Sequence, residues 1–273
     1  MSRSVGESTA HSVVALHRDL GVRVPSALLH APFVRIDLPS MDPADVLQGI
    51  FDHPLVERVA VPASSAPALT RKVGGAKPDL SPTGNAGRVG LVGTGRPGPE
   101  AGPILWCGGA EGESAEATRA ASGVAETGAV DRIVWSLPAD ARQYDVLFGV
   151  DQLLRLGADV IHAELPPRSG DTDAGWQLLA AGLKSLALHA AVPLFLSAGP
   201  EAEELRDHPF VVVVAPADGA DGDVKLEAAE TPASARAAGS AAGHLAEDGG
   251  GWTKAALVAA VQDRISASGH GSP

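Results

Sequence analysis

Cysteine is nearly missing from this chain of 273 residues: Cys107 stands alone. One thiol can build neither a disulfide framework nor a cysteine-based zinc site within the chain. Basic charge is also short. There are 21 Lys and Arg against 33 Asp and Glu, a net charge of −12, so nucleic acid and anionic membrane surfaces are poor partners. No apolar run approaches the roughly 18 residues that a membrane span needs. The stretch from Met1 to Leu20 lacks the unbroken apolar core of a signal peptide, so the expected location is the cytoplasm. Two absences are local. No aspartate lies between Asp79 and Asp131, and no histidine between His53 and His162.

What is present is enough to fold. Hydrophobic residues make up 45% and charged residues 20%, which permits a sizeable core. Short apolar, β-branched runs recur between Gly, Pro and Asp: Phe33–Leu38, Val56–Val61, Arg88–Val92, Ile104–Trp106, Arg132–Trp135, Asp159–Ala163, Pro193–Leu196 and Phe210–Val214. They are too short for helices and too continuous for half-exposed strands, so they predict buried, mostly parallel strands. Helical patterns fall between them. Asp42–Phe51 opens with an N-cap and a first-turn proline. Gln143–Leu156, Trp176–His189 and Trp252–Ile265 each carry an apolar stripe. Thr231–Leu245 is rich in small residues and predicts a helix buried at the domain centre.

This alternation means an α/β fold with a covered parallel sheet. Eight strands leave a (β/α)₈ barrel open. A doubly wound sheet with helices on both faces, plus a small α+β N-terminal domain, is the other architecture. The polar, turn-rich stretch 65–87, with Lys77-Pro78, Ser81-Pro82 and Gly84-Asn85, favours the latter because it suits an interdomain linker.

In order, the segments after that linker resemble the subtilisin-like serine protease family. Arg88 to Gly95 (RVGLVGTG) looks like the strand and turn that carry the family's Asp-Thr-Gly or Asp-Ser-Gly. Gly157 to Ile161 (GADVI) follows a helix as the family's Gly-Ala-Asp-Val-Ile does. Ala191 to Gly199 (AVPLFLSAG) resembles the strand ending in Ala-Gly-Asn. Thr231–Leu245 followed by Trp252 to Val258 resembles the nucleophile helix and the last helix. The resemblance covers residues 85–268. Phe33 to Leu38, a helix, then His53 to Val61 (HPLVERVAV) resembles the family's inhibitor-like propeptide. It implies a subtilisin-like sheet and divides the chain into an N-terminal extension (1–29), a propeptide-like domain (30–66), a linker (67–87) and a subtilase-like domain (88–273).

The family's chemistry needs a hydroxyl, an imidazole to take its proton and a carboxylate to orient that imidazole. Matched residue by residue, the carboxylate position falls on Gly93. The imidazole position falls on Glu111 or, in another register, Glu113. The nucleophile position falls on Thr231, and the oxyanion-hole amide on Pro200, which has no donor. Loss of one triad member already removes several orders of magnitude in rate. The resemblance therefore implies a catalytically inactive relative, with its propeptide-like domain still attached because no self-cleavage is expected. Its expected role is a peptide- or protein-binding scaffold. The partner would be a peptide, an active protease or a second copy of the chain, with no cofactor and no metal. The peptide groove would be lined by Ala139, Asp140 and Ala141, by Glu164, Leu165 and Pro166, and by Ser197, Ala198 and Gly199, with Pro166 removing an N–H. The alternatives are a hydrolase with a site rebuilt from His162, Glu164, Glu111, Glu113 or Thr231, or a (β/α)₈ enzyme.

Several features have a structural and a chemical reading. The glycines at 90, 93 and 95 lack dinucleotide-loop spacing. Glu111, Glu113 and Glu116 suit a helix N-terminus. His162 with Glu164 on one strand suits a buried, satisfied histidine or an acid–base pair. Thr231 before Pro232 suits an N-cap, and Cys107 a small buried hydrophobe. Asp218, Asp221 and Asp223 make a partial calcium-loop pattern without its distal glutamate.

Overall fold

The computed structural model describes residues 5–37, 43–56, 87–128, 130–165, 173–218, 221–227, 229–248 and 251–269. Four elements come first: α1 (Val5–Leu20), β1 (Arg23–Ala27), β2 (Val34–Asp37) and α2 (Pro43–Phe51). β1 and β2 pair antiparallel, with Ala27 opposite Val34. Leu16, Val22 and Ile50 form their small core, joined by Val24, Val34, Ile36, Val46 and Val56. Gly21, at φ +65°, ends α1 by donating to the His17 carbonyl.

The turn between β1 and β2 leaves this small core and docks elsewhere. Leu28 and Ala31 are buried among residues of the large core. The backbone N–H groups of Leu29 and His30 donate to Asp151 Oδ1, 2.9 Å each, and His30 Nδ1 lies 3.0 Å from the same oxygen. Asp151 is fully buried and pairs with Arg155 at 2.9 Å. The boundary expected at 29/30 falls in this turn.

The main sheet is built from β3 (Arg88–Thr94), β4 (Trp106–Gly109), β5 (Asp131–Leu137), β6 (Val160–Ala163), β7 (Leu194–Ser197), β8 (Val211–Pro216) and β9 (Val224–Leu226). Its order is β4-β5-β3-β6-β7-β8-β9, with every neighbour parallel. Among the described residues it is open, with β4 and β9 as edges, which rules out the closed barrel. Between the strands run α3 (Ala115–Ala125), α4 (Gln143–Arg155), α5 (Asp173–Ala190) and the short α6 (Pro200–Glu203). After β9 come α7 (Ala233–Asp248) and α8 (Lys254–Gly269). α4 and α5 pack together on one face of the sheet, and α3, α7 and α8 cover the other. The sheet is thus doubly wound.

Strand alternation sorts the two cores with period two. Val89, Leu91, Val134, Val160, Phe195, Val212 and Val214 pack beneath α3, α7 and α8. Val92, Ile133, Trp135, Ile161, Leu194, Leu196, Val211 and Val213 pack beneath α4 and α5. Each fully buried aliphatic or aromatic side chain stabilises the fold by roughly 1.5–3 kcal/mol. α7 reaches the sheet because its buried residues, from Ser234 to Ala242, are alanine, serine and glycine. A Cβ on Gly239 would stand 2.3 Å from Thr127 Oγ1 and 2.9 Å from the Val124 carbonyl, so α3 and α7 touch backbone to backbone.

The strand anticipated at Ile104–Trp106 forms two residues later. The carbonyls of Ala101 and Pro103 accept instead from the buried Arg132 guanidinium, 2.6 Å each, so ladder pairing begins with Trp106 opposite Ile133. β1 and β9 were not anticipated. β1 contains Pro25, and β9 spans three residues. Most of the strand expected at 56–61, Asp42 as a cap, and the linker 67–87 apart from Gly87 lie outside the described residues. No described helix is long and apolar enough to cross a membrane.

Candidate functional site

The carboxyl ends of β3, β5, β6 and β7 meet where helices leave for opposite faces, the place where doubly wound sheets carry ligands. The alternation that buries Leu91, Val160 and Phe195 beneath α7 also turns the next residues of like parity to that side. These are Gly93 on β3, His162 and Glu164 on and after β6, and Ser197 at the end of β7. Ser234 lies in the first turn of α7, directly above them.

At Gly93 the missing side chain has a physical cause. A Cβ there would lie 2.5 Å from Glu164 Oε2, so the carboxylate from β6 fills the space over β3. The Thr94 N–H donates to the same oxygen at 3.3 Å. Burial pushes the Glu164 carboxyl up to about 7. Repulsion from Glu116 adds to this, while the Thr94 N–H and Arg119 oppose it. His162 is 1% exposed, and burial pushes its imidazole down to about 4. Its Nε2 lies 2.9 Å from Ser234 Oγ, and Ser234 Oγ lies 2.8 Å from Ser197 Oγ. The hydroxyl chain thus runs from a buried imidazole to an exposed serine. His162 Nδ1 is buried without a hydrogen-bond partner among the described residues. His162 and Glu164 both line a cavity of about 10 Å³, together with Leu91, Gly93, Ala117 and Val134.

The other anticipated residues lie apart from this chain. Thr231 is nearly buried, and its hydroxyl donates to Glu126 Oε2 at 2.9 Å. It therefore binds across to the end of α3 instead of capping α7, whose first turn is closed by the Pro232 carbonyl. Glu111 and Glu113 are exposed and precede α3. Ser114 is its N-cap, accepting from the Ala117 N–H at 3.3 Å, and only Glu116 stands in the first turn. Pro200 opens α6 and is exposed. Ala139, Asp140 and Ala141 form a turn closed by the Ala141 N–H on the Pro138 carbonyl. Leu165 is half-buried against the α4–α5 core. The Ala198 N–H donates to the Val214 carbonyl at 2.7 Å, and half-buried Gly199 precedes α6. Pro166 lies outside the described residues.

The glycine turn after β3 is no phosphate cradle. The N–H groups of Gly95 and Arg96 are taken by the Leu137 and Gly112 carbonyls. Asp223 accepts from the Val213 N–H at 2.8 Å and pairs with Lys254 at 2.9 Å, while Asp221 pairs with Lys225. Among the described residues no group of three or more His, Cys, Asp or Glu could hold a metal ion. Cys107 Sγ lies 3.7 Å from Ser136 Oγ.

The link from His162 through Ser234 to Ser197 escaped the sequence reading because its members lie on three separate elements. The available signal was parity: His162 and Ser197 are each two positions beyond a residue of the α7-facing core.

No family model and no curated protein matches the chain. Among solved structures, it is similar to a cold adapted subtilisin-like serine proteinase. The two are 17% identical with a TM-score of 0.44, over 66% of this chain and 82% of that one.

Proposed function

We propose that this chain is a subtilase-like module that does not cleave peptides and serves as a peptide- or protein-binding scaffold, with its N-terminal unit retained in cis. One observation carries this. Thr231, at the position the resemblance gives the nucleophile, commits its hydroxyl to Glu126, and the imidazole at the sheet end bonds Ser234 instead. The family's nucleophile gives its proton to an imidazole, whereas the Thr231 hydroxyl donates its hydrogen bond to the Glu126 carboxylate. Gly93 and Pro200 supply neither a carboxylate nor an amide donor at the other positions. The attachment of Leu28–Ala31 to α4 supports retention of the N-terminal unit. The partner, a peptide, an active protease or a second copy, would meet the carboxyl end of the sheet around Ala139–Ala141, Glu164–Leu165 and Ser197–Gly199.

Intact mass after prolonged incubation, alone and with casein, tests the first half. One species of 27.6 kDa and uncut casein are expected. Self-cleavage between residues 65 and 87, or casein cleavage lost in Thr231→Val, overturns it. Selection from a displayed peptide library tests the second half. Enrichment that is lost on adding bulk at Ser197 or Ala198 supports binding at the sheet end, and enrichment blind to those changes refutes it.

A further inference from the structure

We propose that Ser197 is an acyl-accepting nucleophile for small, activated acyl esters, served by a proton relay through Ser234 to His162, with Glu164 as a positioning residue. This stands beside the scaffold proposal, which concerns peptide cleavage and residues 93, 200 and 231.

Four observations converge. Ser197 is the exposed last residue of β7, at the carboxyl end of the sheet where a substrate can arrive. Its Oγ is 2.8 Å from Ser234 Oγ, which is 2.9 Å from His162 Nε2, both within the range for proton transfer. His162 is buried and neutral at physiological pH, so Nε2 can accept when the ring proton sits on Nδ1. Nδ1 is buried without a partner among the described residues, and His162 and Glu164 line one cavity. About 10 Å³ is close to the space that one water needs. A water there would accept a hydrogen bond from Nδ1–H and donate one to the Glu164 carboxylate, which fixes the tautomer and steadies the imidazolium. Hydroxyl, imidazole and carboxylate thus occur in the order that acyl transfer uses, with one extra hydroxyl in the line.

The step balances. Ser197 Oγ bonds the acyl carbon of the ester. Its proton passes to Ser234 Oγ while the Ser234 proton passes to His162 Nε2. The bond from acyl carbon to alkoxy oxygen then breaks, and the imidazolium proton returns along the hydroxyls to the leaving alkoxide. Water attacks the acyl-Ser197 ester by the same relay, releasing the acid and restoring the serine.

The test is a fluorophosphonate probe, with p-nitrophenyl acetate as substrate, on the full-length chain between pH 5 and 9. The expected label maps to Ser197, with a burst of p-nitrophenol equal to one acyl group per chain. Ser197→Ala, an exposed change whose fold is checked by circular dichroism, should abolish both. Ser234→Ala should slow labelling about 10²-fold. Glu164→Gln should remove the rise in rate through pH 7 that wild type shows, an effect that a packing role alone would not produce. The groups facing Glu164 are Glu116 and Arg119 on α3 and His162 on β6; Glu116→Gln should move that rise to lower pH. No label across the range, a label on another residue, or equal labelling of Ser197→Ala overturns the assignment. Labelling of Ser197 without casein cleavage supports it and leaves the scaffold proposal standing, whereas casein cleavage sinks that proposal alone.

Discussion

Replacing Asp151 tests how the N-terminal unit is held. The carboxylate is fully buried. It accepts two backbone N–H groups from the β1–β2 turn at 2.9 Å each, meets His30 Nδ1 at 3.0 Å and pairs with Arg155 at 2.9 Å. In Asp151→Asn one oxygen can still accept from the turn, but the new amide presents its N–H groups to the Arg155 guanidinium, donor against donor. Hydrogen bonds to a charged group contribute about 1.5–3 kcal/mol each, and an orphaned buried donor costs about 1–3 kcal/mol. Arg155 is 36% exposed and turns to water, so its pairing counts for little. About 3 kcal/mol is therefore expected from the weakened turn contacts. Leu28, almost wholly buried, still holds the turn with roughly 2 kcal/mol of apolar burial. The variant should fold with its hairpin loosened. Urea melts followed by far-ultraviolet circular dichroism give the global loss. Hydrogen exchange should show the amides of residues 23–37 quickening well before those of β3, β5 and β6. If Asp151→Asn melts within about 0.5 kcal/mol of wild type and the Leu29 and His30 amides stay equally slow, the turn is held by burial alone and Asp151 is no anchor.

Two further outcomes follow from the site. Gly93→Ala places a Cβ against Glu164 Oε2 and should cost about 1–3 kcal/mol by overpacking; Glu164→Ser on the same chain should return at least about 1 kcal/mol, read as non-additivity in urea melts. The buried pair makes stability insensitive to pH in mid-range. Glu164, raised in the folded state from 4.5 to about 7, contributes stability that is present below pH 4.5 and lost as pH rises through 7. His162, lowered from 6.5 to about 4, contributes stability that is present above pH 6.5 and lost as pH falls towards 4. Each is worth about 3 kcal/mol at most, and between pH 4.5 and 6.5 their slopes oppose. Wild type should hold a nearly level melting temperature there, whereas Glu164→Gln should lose stability as pH falls below 6.5; a level profile in the variant would refute the opposition.

The sheet was legible because its signal is local. Runs such as Phe210–Val214 and Arg132–Trp135 are β-branched on both parities, which a strand covered on both faces requires. The stripes on α4 and α5 and the small-residue run of α7 were equally direct. β1 was hidden by Pro25 within it, and β4 was displaced by Arg132, which caps carbonyls 29 and 31 residues upstream; neither cause is visible in a window of neighbouring residues. The site was half legible. His162 and Glu164 stood out as polar residues two apart on an apolar strand, and Ser197 stood in the expected peptide groove, but nothing singled out Ser234. Their meeting depends on β6 and β7 pairing with His162 opposite Phe195 and on α7 returning over both. That is tertiary information, and it placed Thr231 against Glu126 at the same time.

The packing of α7 and the hydroxyl chain are therefore one feature. Ser234 reaches both His162 and Ser197 only because α7 lies low on the sheet. It lies low because Ala235, Ala237, Ala238, Gly239 and Ala241 present almost no side chain to the strands and to α3. A larger residue at Gly239 would meet the backbone of α3 at Val124, more than a turn of helix away from Ser234, and would have to lift the helix to fit. Lifting α7 by even 1 Å would stretch both hydroxyl contacts beyond hydrogen-bond length and leave the buried Nε2 of His162 without its partner, at a cost of about 1–3 kcal/mol. The small residues of α7 thus serve the chemistry at the sheet end as well as the core, and changes made for packing along this helix act on the relay at its first turn.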